Sequence, residues 1–158
     1  MSPRTHRFRP RYRGLAWGSF GTGSAVVIAG LFLGAAALPL VAGTFGMSLG
    51  LLYLGSPTWK ISVVTDDDAL EVKTRTATKF RLAWTDVVRV VASPSTHTAF
   101  VDGGTPAKSL LVPGDGAPAP YEIEDAAALV DTILARVTPD KIERVESLDR
   151  AKKSDQPA

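Results

Sequence analysis

The stretch GLAWGSFGTGSAVVIAGLFLGAAALPLVAGTFGMSLGLLYLGSPTW, residues 14–59, contains no charged residue and no histidine. A bilayer core about 30 Å thick needs roughly 20 apolar residues in a helix that rises about 1.5 Å per residue. The stretch is too long for one crossing and suits two. Pro39 lies near its middle, where a turn between helices accommodates a residue that cannot donate a backbone hydrogen bond. The reading is a transmembrane hairpin over 14–58, with spans at 15–36 and 40–57. Tyr12 and Trp17 near the start and Tyr53 and Trp59 near the end would then share one membrane interface. Small residues recur four apart at Gly14/Gly18, Gly30/Gly34 and Gly46/Gly50, the spacing that lets two helices approach closely in lipid. Gly30, Gly34, Gly46 and Gly50 are therefore the candidate helix-packing residues.

Outward from this segment the charge divides unevenly. Residues 1–13 hold Arg4, Arg7, Arg9, Arg11 and Arg13 and no acid, whereas 60–158 hold 13 basic and all 16 acidic residues, net −3. The pI near 9.0 thus comes from the arm and is no sign of a nucleic-acid-binding domain. The arm reads as a basic cytoplasmic segment, with Arg7, Arg9, Arg11 and Arg13 next to the membrane, orienting the chain by the positive-inside tendency. A hairpin then leaves both termini cytoplasmic, as in a multi-pass protein of the cell (inner) membrane. Two other topologies stay open. One is a signal peptide cleaved near Ala35-Ala36-Ala37; the other is a single span near Ser24–Ala42 with an exported domain, since the polar-leaning segment 18–23 weakens the first helix. The chain of 158 residues has no Cys, which excludes disulfide scaffolds, thiolate metal sites and thiol catalysis.

After Trp59 the apolar period becomes 2. Trp59–Thr65 and Leu70–Thr74 flank the Asp66-Asp67-Asp68 turn as a hairpin, with Leu70 and Val72 inward and Glu71 and Lys73 outward. Lys79–Trp84 places Phe80, Leu82 and Trp84 on one face. Val87–Ala92, Thr96–Val101, Ser109–Val112 and Tyr121–Ile123 complete a set of six or seven strands, at the spacing of a small antiparallel barrel or sandwich. From Glu124 the period is 3.6, and Ala126, Leu129, Val130, Ile133, Leu134 and Val137 form one apolar stripe of a closing helix. Thr138-Pro139-Asp140 caps a second short helix carrying Ile142, Val145 and Leu148, before a polar tail. The domains are then the arm 1–13, the hairpin 14–58, a strand-and-helix domain 59–137, and a short helix and tail 138–158.

The segment Phe80-Arg81-Leu82-Ala83-Trp84-Thr85-Asp86-Val87 resembles the apolar-x-x-Trp-x-Asp-[Ile/Val] segment of bacterial pleckstrin-homology-like (PH-like) domains, with Phe80, Leu82, Trp84 and Asp86 as its signature. Such domains often follow a two-helix membrane hairpin. The resemblance implies a membrane α-helical hairpin followed by a small α+β domain, a PH-like antiparallel β-barrel or sandwich capped by one C-terminal helix.

Chemistry is sparse. His6 and His97 have no third ligand at metal spacing and read as solvated. Residues 18–24 imitate a phosphate loop but lack its lysine and its preceding strand. Asp66-Asp67-Asp68 lacks calcium-loop spacing and reads as an exposed turn. Asp86 has no partner base or nucleophile, so its carboxylate is expected to accept backbone N–H groups at a bend. Lys73, Arg75, Lys79 and Arg81 form a basic edge suited to anionic lipid or a protein partner, or else simply a charged outer strand face. The expectation is a non-catalytic membrane-anchored interaction or scaffold module without cofactor, nucleic acid or identifiable small-molecule substrate. Its partners would be membrane lipids and a protein or a second copy. The alternatives are an accessory subunit of a larger membrane complex and a membrane-bound enzyme subunit whose site needs a partner.

Overall fold

In the arm, His6 and Phe8 are buried while Arg7 and Arg9 are exposed, an alternation that only an extended backbone produces. The computed structural model, which describes residues 3–34, 36–114 and 116–146, accordingly makes Arg4–Pro10 a strand, β1. This corrects the reading of the arm as a separate basic segment. Its partner is β2 (Ser62–Thr65), antiparallel, with Arg4 opposite Thr65, Thr5 opposite Val64, His6 opposite Val63 and Arg7 opposite Ser62. The strand before the uncharged stretch and the strand after it are thus hydrogen-bonded neighbours. His6, expected to be solvated, is only 3% exposed.

β2 pairs antiparallel with β3 (Ala69–Lys73), and β3 with β4 (Thr78–Ala83). Further strands are β5 (Arg89–Ser93), β6 (Thr98–Asp102), β7 (Leu110–Val112), β8 (Tyr121–Ile123) and β9 (Ile142–Arg144). They form one sheet of order β4-β3-β2-β1-β8 and another of order β7-β6-β5-β9. The described residues therefore hold nine strands where six or seven were expected, in two sheets that do not close into a barrel. The pairing is not wholly antiparallel, because β9 runs parallel to β5. The expected second short helix is one 3₁₀ turn, Pro139–Lys141, followed directly by β9. Leu148 and the polar tail lie outside the described residues.

Both sheets contribute to one core, with Phe8, Val63, Leu70 and Leu82 from the first and Val90, Val101 and Val112 from the second. The C-terminal helix, Ala126–Arg136, adds Leu129, Val130 and Ile133 to it, as the 3.6-residue stripe requires. Trp84 starts a 3₁₀ turn after β4 and joins the same core, with its indole N–H donating to the Asp66 carbonyl at 3.2 Å. Phe8 stacks on Tyr121, ring centres 4.9 Å apart.

Residues 10–59 make a second unit. Helix α1 (Arg13–Phe32) and helix α2 (Ala37–Leu54) are both long and apolar enough to cross a membrane; the C-terminal helix is α3. Pro39 lies in the first turn of α2 and not between the helices, and there its missing N–H leaves no intrahelical bond unmade. The residues buried between α1 and α2 are Ala16, Gly23 and Gly30 on one and Gly43 and Gly50 on the other. They recur every seven residues, the period of a left-handed helix pair. At the closest approach a Cβ on Gly43 would lie 2.6 Å from the Gly23 carbonyl oxygen, and one on Gly50 would lie 2.6 Å from that of Ala16. Most outward-facing side chains are apolar, Phe32 being 87% and Leu38 80% exposed, with Thr22, Thr44 and Ser48 the exposed hydroxyl residues among them.

At the open end of the pair the Tyr53 hydroxyl accepts from the Tyr12 backbone N–H at 3.0 Å, and the Trp59 indole donates to the Tyr53 carbonyl at 2.5 Å. Gly43→Leu should destabilise the helix pair by more than about 1–3 kcal/mol, because the obstructing atoms are backbone and cannot move aside. Gly18→Leu, where a Cβ meets nothing within 4 Å, should cost far less. Unfolding of the two variants in mixed micelles measures the difference, and equal stabilities would contradict this packing.

Candidate functional site

The basic edge read from Lys73, Arg75, Lys79 and Arg81 divides in two. Glu71 lies directly opposite Arg81 across the β3–β4 ladder, and on an extended strand Lys73 shares its face with Glu71. The Arg81 guanidinium contacts Glu71 Oε1 at 2.8 Å, and the Lys73 ammonium contacts Oε2. Arg81 also reaches Asp66 at 3.6 Å. Glu71, expected to point into solvent, is only 8% exposed, because two long basic side chains lie over it. The hydrogen bond from Lys73 holds the Glu71 carboxyl below its ordinary value of 4.5; burial pushes the other way, and Arg81 adds to the lowering. Lys73 and Arg81 are thus neutralised locally, whereas Arg75 and Lys79 are exposed and have no ion-pair partner among the described residues.

The turn between β3 and β4 is tightly made. The Thr74 N–H and hydroxyl both donate to the Ala77 carbonyl, at 2.7 and 2.9 Å, and the Ala77 N–H donates back to the Thr74 hydroxyl at 3.1 Å. This turn carries Arg75. The turn between β2 and β3 is acidic: Asp66 Oδ1 accepts the N–H groups of Asp68 and Ala69 at 2.9 and 2.6 Å, which hold its carboxyl below the ordinary range. Asp67 is paired with Arg136 of α3.

Asp66, and Asp102 with the Gly104 N–H at 2.8 Å, are therefore carboxylates that accept backbone donors at bends, rather than Asp86. Asp86 is exposed in the 3₁₀ turn Trp84–Asp86, and among the described residues its carboxylate takes only a 3.5 Å contact from the Thr85 hydroxyl. Of the other signature residues, Leu82 and Trp84 are buried and Phe80 is half-buried against the core. His97 occupies the turn before β6 with φ 51°, half-buried. Among the described residues, no three His, Asp or Glu side chains gather as a metal site.

The arginine arm also divides. Arg7 and Arg9 project from β1, and Arg9 pairs with Glu124 at 2.6 Å. The Glu124 N–H donates to the Arg7 carbonyl at 2.9 Å, and His6 Nδ1 donates to the Glu124 carbonyl at 2.9 Å. His6 Nε2 is buried without a hydrogen-bond partner among the described residues. Arg11 follows β1, and Arg13 is the first residue of α1. Sequence reasoning missed this joint of His6, Phe8 and Glu124, although the alternation His-Arg-Phe-Arg carried its signal. It likewise missed Gly23 and Gly43, which the seven-residue spacing from Gly30 and Gly50 marks. A Cβ on Gly30 would lie 3.0 Å from Pro39 and one on Gly46 3.5 Å from the Ser19 carbonyl oxygen, but Gly34 is a turn residue with φ 75° where a Cβ would meet nothing within 4 Å.

No family model, curated protein or solved structure matches the chain.

Because the folded state depresses the Glu71 pKa, the associated stability is present above the unfolded value and is lost as pH falls through the lower folded one. Lys73→Met should raise the Glu71 carboxyl titration towards 4.5 and bring acid unfolding to higher pH, both followed by carboxyl NMR and circular dichroism. An unmoved Glu71 titration would contradict the pairing.

Proposed function

We propose that the chain is a two-pass membrane protein that presents one non-catalytic, PH-like interaction domain on the cytoplasmic face. The single observation that carries this reading is the antiparallel pairing of β1 with β2 across residues 11–61. Two strands that exchange backbone hydrogen bonds must occupy the same compartment. A chain that leaves that compartment through α1 must therefore return through α2. A single span would put β1 and β2 on opposite sides, and cleavage after α1 would remove a central strand of the sheet. The positive-inside tendency then favours the cytoplasm, since Arg11 and Arg13 border α1 and Lys60 follows α2.

The PH-like reading is supported by two sheets sharing a core with one helix after the main strand series, and by the Phe80–Val87 segment around buried Trp84. A scaffold role accords with carboxylates that serve structural pairs: Glu71 with Lys73 and Arg81, Asp67 with Arg136, Glu124 with Arg9. Reporters active only in the cytoplasm, fused in turn to each terminus of the full chain, should both be active, and reporters active only outside should both be silent. Opposite results at the two ends would overturn the two-pass reading.

A further inference from the structure

The first sheet is polarised along its strands. At one end lies the Asp66-Asp67-Asp68 turn between β2 and β3. At the other lie the turn carrying Arg75, the start of β4 with Lys79, and Lys60 just ahead of β2; the register that sets Ser62 opposite Lys73 fixes this grouping. The basic end is also the end at which the chain leaves for the helices, because β1 finishes there and β2 begins there. Only Arg11 and Tyr12 separate β1 from α1, a reach of at most about 11 Å over the three residue steps from Pro10 to Arg13.

We infer that this basic end of the sheet rests on anionic lipid headgroups, with Lys60, Arg75 and Lys79 as the contacting cations. The inference rests on the two-pass reading, since only membrane-spanning helices bring a bilayer surface within that reach. Lys60, Arg75 and Lys79 are exposed and carry no ion pair with any described residue, so their charge is available. Lys73 and Arg81 are excluded because they are already paired with Glu71 and Asp66. The hydrogen-bonded Thr74–Ala77 turn presents Arg75 on backbone that is already ordered.

The test uses the full chain, whose lack of Cys permits one fluorophore at Thr76→Cys and, in a separate protein, at Asp68→Cys. Each is reconstituted in nanodiscs of phosphatidylcholine alone and of phosphatidylcholine with phosphatidylglycerol. The Thr76→Cys label should be shielded from an aqueous quencher in the anionic discs only, and added salt should reverse this. The Asp68→Cys label should stay open to the quencher in both. Replacing Lys60, Arg75 and Lys79 by Gln should weaken the contact about fivefold per residue, roughly a hundredfold in all, with unchanged thermal unfolding showing that the fold is kept. Equal quenching of the Thr76→Cys label in the two disc types, or shielding that survives the triple substitution, overturns the headgroup contact while leaving the two-pass reading in place. Failure of the full chain to enter discs of either lipid overturns the two-pass reading itself.

Discussion

The rest of the structure depends on backbone hydrogen bonds between Arg4–Arg7 and Ser62–Thr65. β1 is an interior strand, flanked by β2 and β8, so its amides and carbonyls have partners on both sides. Without it the sheet would be cut into β4-β3-β2 and an isolated β8, with two unpaired edges and no Phe8 beneath Tyr121. Unpaired buried backbone groups are costly, and open edges invite pairing with other chains. The domain is therefore not a unit appended after a membrane anchor. It is a two-sheet domain with a helical hairpin inserted between two neighbouring strands.

That arrangement links the two parts of the chain without appeal to contacts between them. The helices pack through glycine and alanine at seven-residue intervals, where backbone oxygen atoms stand in the places a larger side chain would fill. The sheet holds its own charges in local pairs in the middle of the strands and leaves the basic surplus at the tethered end. One geometric fact, that β1 ends and β2 begins at the same end of the sheet, joins topology to electrostatics.

Much of this was legible in the sequence. The uncharged run 14–59 marks both helices, the alternation from Lys79 to Trp84 marks β4, and the stripe Leu129, Val130 and Ile133 marks α3, because each pattern reports one local period. What escaped was non-local. In β1 the arginines dominate a composition reading, while the buried pair His6 and Phe8 has meaning only once β2 and β8 lie beside it. β9 is three residues long and gains its identity from a parallel ladder with β5. Glu71 occupies an outward position by alternation, but the stems of Lys73 and Arg81 cover it. The glycines were read at a four-residue spacing, whereas the two helices meet at seven.

The most direct test of the β1–β2 pairing places cysteines at Arg7 and Ser62, which face each other in the ladder, in a chain with no other thiol. Opposed residues of antiparallel strands have Cα atoms about 4.5–5.5 Å apart, within disulfide reach. Mild oxidation of intact membranes containing the Arg7→Cys/Ser62→Cys protein should give a near-quantitative intramolecular disulfide, seen as loss of both free thiols. An Arg7→Cys/Asp86→Cys protein should keep its thiols free. Two thiols at 7 and 62 that stay reduced, or that label from opposite sides of the membrane, would contradict the account.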